Sequence, residues 1–194
     1  MSSISATLLY EDQQGPSRQY GLHAFVMACV FDLVNGLRHR VEQRVDSRPL
    51  KGNGNLLKST RNESSRIAAD GRRVFSIFDN DRVRDLVGLP HSASESQVRQ
   101  EIMAGCVAQP APTIFFLKEN TESVLAAALT CDPSLDPTLF GRAMGKNLAE
   151  RDVAFKQVAT RATRATRDCI LRSVPSVKEL VEALASILHA DLGD

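Results

Sequence analysis

Val74-Phe75-Ser76-Ile77-Phe78-Asp79-Asn80-Asp81 is the stretch on which the reading of the whole chain turns. Four of its first five residues are large and apolar, with no alternation of period two. That pattern marks a strand covered on both faces rather than one lying half in water. Strands of this kind belong to parallel sheets, whose crossover connections lay helices on both sides. The apolar run stops abruptly at two acids around Asn80. In open α/β sheets ligands collect beyond the carboxyl ends of the strands, so these acids are the first candidates for chemistry.

Upstream, residues Ala6 to Tyr10 form another short apolar run, and it too ends in acids, Glu11 and Asp12. Leu22, Val26, Cys29, Leu33 and Leu37 then recur at helical spacing, and Asn35-Gly36 signals the end of that helix. Val41 and Val45 give residues 40–46 a strand pattern. Residues 46–62, rich in Gly, Asn and Ser and holding Pro49, are expected to be a loop. Residues 64–70 predict a short helix stopped by Gly71. Downstream, Ser94 with Gln97 is a capping box that opens a helix to about Gly105. Thr113 to Leu117 is a further buried strand, followed by an acidic segment and an Ala/Leu helix.

Past the turn at 132–137 the pattern is helical throughout. Leu148, Phe155, Val158, Ala162, Ala165 and Cys169 mark one stripe, and Ser176 with Glu179 is expected to cap a last helix. The order β-α-β-α-β-α-β-α with a helical tail predicts an α/β domain with a parallel or mostly parallel sheet. Its expected extent is residues 1–131, with 132–194 as a helical extension packed on the same domain.

Composition bounds the function. At 194 residues with 43% hydrophobic side chains the chain can bury a sizeable core. Twenty-four Lys and Arg against 23 Asp and Glu leave a net charge of +1, which excludes a polybasic binder and an acidic disordered tail. No apolar run approaches the roughly 20 residues of a membrane span, and the start of the chain has no charged segment leading into an apolar one. A cytoplasmic protein without a membrane partner is expected. Cys29, Cys106, Cys131 and Cys169 lie far apart, with no C-x-x-C pair, and the four histidines are scattered. Each cysteine reads as a reduced thiol, so a metal here needs oxygen ligands.

On an extended segment residues two apart share a side, so Asp79 and Asp81 can converge. If the strands from Ala6 and Val74 are neighbours, roughly 5 Å apart, Glu11 joins them. Three carboxylates so close repel unless a cation neutralises them, and Mg²⁺ favours carboxylate, water and phosphate oxygens. Such a centre activates water or stabilises charge developing on a phosphoryl group. The ordinary alternative is that these acids are solvated loop residues or helix caps.

Leu8-Leu9-Tyr10-Glu11, followed one helix-strand-helix later by Ile77-Phe78-Asp79-Asn80-Asp81, resembles the TOPRIM domain. That domain occurs in bacterial primases, topoisomerases, recombination proteins and the OLD-type and related nucleases of phage defence. The resemblance covers about residues 5–130 and implies an α/β fold with a mainly parallel, four-stranded sheet flanked by helices. It implies that Glu11 is a general acid/base or metal ligand and that Asp79 and Asp81 bind Mg²⁺ or Mn²⁺. Asp12 stands where many members have Gly and is a further candidate acid. Glu119 and Glu122 lie where some nuclease members carry another acidic segment. The activity implied is metal-dependent hydrolysis of nucleic-acid phosphodiesters, on DNA rather than RNA. The chain would then serve as an effector subunit of an anti-phage complex, with a protein partner or a second copy of itself. The alternative is a non-catalytic TOPRIM-like binding or regulatory module.

Other motifs compete. Gly52 to Ser59 nearly matches G-x-x-x-x-G-K-[ST], but Leu57 replaces the second glycine. Phosphatases with a D-x-D nucleophile carry it on the first strand and follow it with a small or hydroxyl residue, whereas Arg82 follows here. Lys51, Lys58, Arg61 and Arg82 are candidates for phosphate contacts. Arg161, Arg164 and Arg167 predict a basic stripe if their segment is one helix. No Trp and only two Tyr argue against single-strand recognition by base stacking.

Overall fold

The computed structural model describes residues 4–11, 21–34, 38–80, 82–107, 110–118, 121–145 and 148–192. Four strands, β1 (Ala6–Glu11), β2 (Val45–Leu50), β3 (Arg73–Asp79) and β4 (Thr113–Leu117), form one sheet in the order β2-β1-β3-β4. Every pairing is parallel. The fold is thus α/β, an all-parallel four-stranded sheet flanked by helices with a helical C-terminal part. The register sets Leu8 beside Phe75 and Leu9 beside Ser76, and β4 continues it with Phe116 beside Phe78. Leu8 and Phe75 belong to one face, Leu9 and Phe78 to the other, and all four are buried. Burial on both sides is why the strands read as apolar runs without alternation.

The chain divides into two compact units, the first made of the sheet with the helices between β2 and β4. Those helices are α3 (Asn53–Asn62), α4 (Ser64–Ala69), α5 (Val83–Leu86) and α6 (Glu95–Ala104), preceded by the short α2 (Arg38–Glu42). Leu56 and Leu57 of α3, Ile67 of α4, Val83 of α5 and Ile102 of α6 close over Leu9, Phe78, Ile114 and Phe116. One polar contact is buried beneath α3. Thr60 Oγ1 donates to Leu56 O at 2.8 Å and shares a hydrogen bond with Ser76 Oγ at 2.9 Å, so neither hydroxyl is left unsatisfied.

Two local expectations fail in the segment 40–62. The strand lies at 45–50, not 40–46, and the expected loop is that strand followed by a ten-residue helix. Pro49 hid the strand, because proline cannot donate to a ladder; β2 is an edge strand, where that loss is tolerated. The Gly and Asn residues hid the helix. Gly52 supplies a left-handed turn at φ +82°, and Asn53 and Gly54 already lie inside α3. The capping box at Ser94 and Gln97 is present as read, and Gly71 follows α4 at φ +77°.

The second unit holds α1 (Gly21–Val34) together with α7 (Thr121–Cys131), α8 (Pro137–Ala143), α9 (Leu148–Arg161), α10 (Arg164–Ser173) and α11 (Pro175–Leu192). The helix after β1, and α7 as well, therefore group with the C-terminal helices, a division that sequence order does not follow. A Cβ on Gly21 would lie 2.7 Å from Phe155 Cβ, so glycine here lets α1 and α9 approach closely. The helix α11 starts on Pro175, with Ser176 inside it and buried, rather than on a Ser176 cap. The stripe from Phe155 to Cys169 is not one helix. It breaks after Arg161, and Thr163 Oγ1 accepts from Thr166 N at 3.1 Å to start α10.

That break also dissolves the basic stripe. Arg161 and Arg164 are exposed on different helices, and Arg167 turns to Asp32 of α1 in a two-pronged pair at 2.6 and 2.8 Å. Two of the four cysteines depart from expectation: Cys131 and Cys169 form a disulfide, while Cys29 and Cys106 are free as expected. Among the described residues no helix is long and apolar enough to cross a membrane.

Because Phe78 is fully buried at the centre of the first unit, Phe78→Ala should lower stability by about 3–5 kcal/mol in urea unfolding. A loss under about 1 kcal/mol would contradict its place in the core.

Candidate functional site

The chain runs from β1 to β2 on one side and then returns across β1 to β3 and β4 on the other. The direction of winding therefore reverses between β1 and β3, and ligands in such sheets bind at the carboxyl ends beside the reversal. The two strands flanking it are the two that end in candidate acids, Glu11 and Asp79. Their adjacency, which sequence could pose only as a condition, is present in the sheet.

Register refines the picture. Tyr10 is level with Ile77, so Glu11 is level with Phe78, and Asp79 lies one residue further along, level with Leu117. Side chains alternate along a strand. Leu9 and Phe78 share the core beneath α3–α6, so alternation assigns Glu11 to that face and Asp79 to the opposite one. Both reach the same sheet edge from opposite sides. Asp12, Asp81 and Glu119 lie outside the described residues. Glu122 is on α7 in the second unit, ion-paired with Arg151 of α9. Arg151 also donates to Gly145 O at 2.8 Å, so this pair fastens a helix connection.

The turn that carries Asp79 onward is clamped. Asn80 N donates to Leu117 O at 3.0 Å, which continues the ladder one step past β3. The Arg84 guanidinium donates to Asn80 O at 2.9 Å, to Asn80 Oδ1 at 3.1 Å and to Ala93 O at 2.9 Å. Sequence reading passed over Arg84 in favour of Arg82, which is exposed just ahead of α5. Nothing in the local sequence from Asn80 to Arg84 marks Arg84 for that role.

On the other side of Glu11, Leu50 is its partner in β2, so Lys51 stands exposed one residue beyond that pair. Asn55 Nδ2 donates to Lys51 O at 2.5 Å and tightens the turn. Lys58 is exposed on α3. Arg61 is otherwise engaged: it donates to Glu101 O at 2.9 Å and Ile102 O at 3.4 Å, covering carbonyls at the end of α6. The phosphate-loop likeness of 52–59 fails on structure as well. The segment is helix from Asn53, Leu57 is buried, and Ser59 Oγ donates to Glu63 Oε1 at 3.0 Å. Asn53 adds a feature no motif announced: its Oδ1 is buried and meets no donor among the described residues. A buried oxygen left so costs about 1–3 kcal/mol unless a ligand or water meets it.

Among the described residues no group of three or more His, Cys, Asp and Glu is placed to hold a metal ion. The donors that do stand along this edge, the carboxylates of Glu11 and Asp79 and the amide oxygen of Asn53, are all hard oxygens. Hard oxygens are the ligand type that Mg²⁺ takes, although alternation sets these two carboxylates on opposite faces of the sheet. In comparisons with protein-family models, curated proteins and solved structures, nothing matches this chain.

Arg84→Met removes three hydrogen bonds while keeping most of the stem. It should cost about 1–3 kcal/mol in denaturant unfolding, and a wild-type midpoint would show that the turn after β3 holds without this clamp.

Proposed function

We propose that the carboxyl edge of the β1–β3 pair is the centre of a metal-dependent, TOPRIM-like nuclease that hydrolyses phosphodiester bonds, on DNA rather than RNA. One observation carries this reading: the two strands that flank the winding reversal are hydrogen-bonded neighbours, and each ends in a carboxylate. Glu11 orients the attacking water or takes its proton. Asp79 and, two residues on, Asp81 hold the ion, with Asn53 Oδ1 as a further oxygen donor. Mg²⁺ or Mn²⁺ bound there supplies Lewis acidity toward a phosphoryl oxygen. Lys51, Lys58 and Arg82 meet flanking phosphates. By the same reading the chain acts as an effector subunit in defence against phage, with a protein partner or a second copy.

A second reading draws on the register. Alternation sends Glu11 and Asp79 to opposite faces, which suits a non-catalytic binding module whose edge meets a partner without a metal.

Cleavage of plasmid DNA and of single-stranded RNA in Mg²⁺ or Mn²⁺ tests the first reading. Glu11→Gln and the double variant Asp79→Asn with Asp81→Asn should each lose at least about 100-fold in rate. Variants as active as wild type would sink it. Calorimetric titration with Mn²⁺ separates the two readings: a nuclease binds the ion and loses it in the double variant, whereas the binding module shows no heat.

A further inference from the structure

The four cysteines differ sharply in surroundings. Cys29 is buried in α1, and burial drives its thiol far above the ordinary range, against a smaller downward pull from Arg167. Cys106 is half-buried, its Sγ lies 3.5 Å from Ile102 O, and burial raises its thiol as well. Neither is a ready thiolate at neutral pH, and the thiolate is the species that exchanges with disulfides. Cys131 and Cys169 are bonded to each other, and both are partly exposed. Cys131–Cys169 is the disulfide among the described residues, and both of its cysteines are reachable from solvent.

What that pair holds is a helix with little apolar burial of its own. Of the ten residues of α10, only Ile170 and Leu171 are buried. Its neighbours in the chain are held differently: α9 buries Ala154, Phe155 and Val158, and α11 buries Val177, Leu180, Val181, Leu184 and Leu188. Besides those two apolar side chains, α10 is tied laterally by the Arg167–Asp32 pair to α1, by Arg167 donating to Ala159 O of α9 at 3.4 Å, and by the Cys169–Cys131 bond to the last residue of α7. A short helix with two core residues opens at low cost, and a covalent cross-link restricts the open ensemble far more than the closed one.

We propose that Cys131–Cys169 is a reversible redox latch that locks α10 to α7 when oxidised and releases it to open locally when reduced. The reductant is a dithiol. One of its thiolates attacks a sulfur of the pair to give a mixed disulfide and expels the other cysteine as thiolate. The second thiol of the reductant then displaces the remaining cysteine. Two electrons and two protons pass to the protein, and the reductant leaves as a disulfide. Neither Glu11 nor Asp79 takes part, so the latch stands independently of the nuclease reading.

Amide hydrogen exchange followed by mass spectrometry tests this on the full chain, oxidised, reduced with dithiothreitol, and as Cys131→Ser with Cys169→Ser. Exchange across residues 164–173 should speed by about tenfold or more on reduction and in the double variant, with β1 and β3 unchanged. Reoxidation of the wild type should restore the slow rate. Three results would overturn the proposal: unchanged exchange at 164–173, faster exchange throughout the chain in concert, or a pair that resists excess dithiothreitol under native conditions. Reduction of the wild type keeps the test decisive if the double variant does not fold.

Discussion

The parallel pairing of β1 with β3 is the constraint from which the first unit follows. These two strands occupy the centre of the sheet, and each must satisfy its backbone on both edges while burying side chains on both faces. Apolar residues and small hydroxyls meet that demand, hence Leu8, Leu9, Phe75, Phe78 and the Thr60–Ser76 hydrogen bond. Carboxylates are tolerated only where burial ends. Glu11 is part-exposed and Asp79 exposed, and both stand at the strand termini. The position of the acids is thus a direct consequence of where the core stops, and the winding order reverses at that same edge.

Much of the polar chemistry around the sheet is spent on ending elements cleanly. Arg84 holds the turn after β3, and Arg61 covers the carbonyls at the end of α6. In the second unit Arg151 and Arg167 do comparable work, tying helix connections through Glu122 and Asp32. A guanidinium presents five donors in a fixed fork, which suits it to gathering several carbonyls or both oxygens of one carboxylate. Arg61, Arg84, Arg151 and Arg167 are thereby engaged inside the protein. Lys51, Lys58 and Arg82 remain exposed.

The helical unit closes its packing in a similar way. Gly21 lets α1 come close to Phe155, and α11 presents a continuous apolar stripe. Between them the chain makes one weakly buried helix, α10, and fastens it with an ion pair and a disulfide. Where apolar burial is thin, stability comes from cross-links, and cross-links of this kind respond to solution conditions in a way that a packed core does not.

The sequence by itself determined the fold class, the three apolar strands at 6–10, 74–78 and 113–117, and the acids that end two of them. Those features depend on period and burial, which a linear pattern records. It misread 40–62, since Pro49 and the Gly/Asn cluster carry loop signals that an edge strand and a helix start also accept. The switch-point edge was legible only as a condition on strand neighbours, and Arg84 and Asn53 left no pattern at all. Tertiary structure alone decided that β1 adjoins β3, that Glu11 and Asp79 meet their edge from opposite faces, and that Arg167 finds Asp32. It also brought Cys131 and Cys169, 38 residues apart, to a Cα separation of 5.9 Å. The reason is common to all of these: each is a contact between distant segments, set by how whole elements pack, and no local periodicity encodes which element will lie beside which.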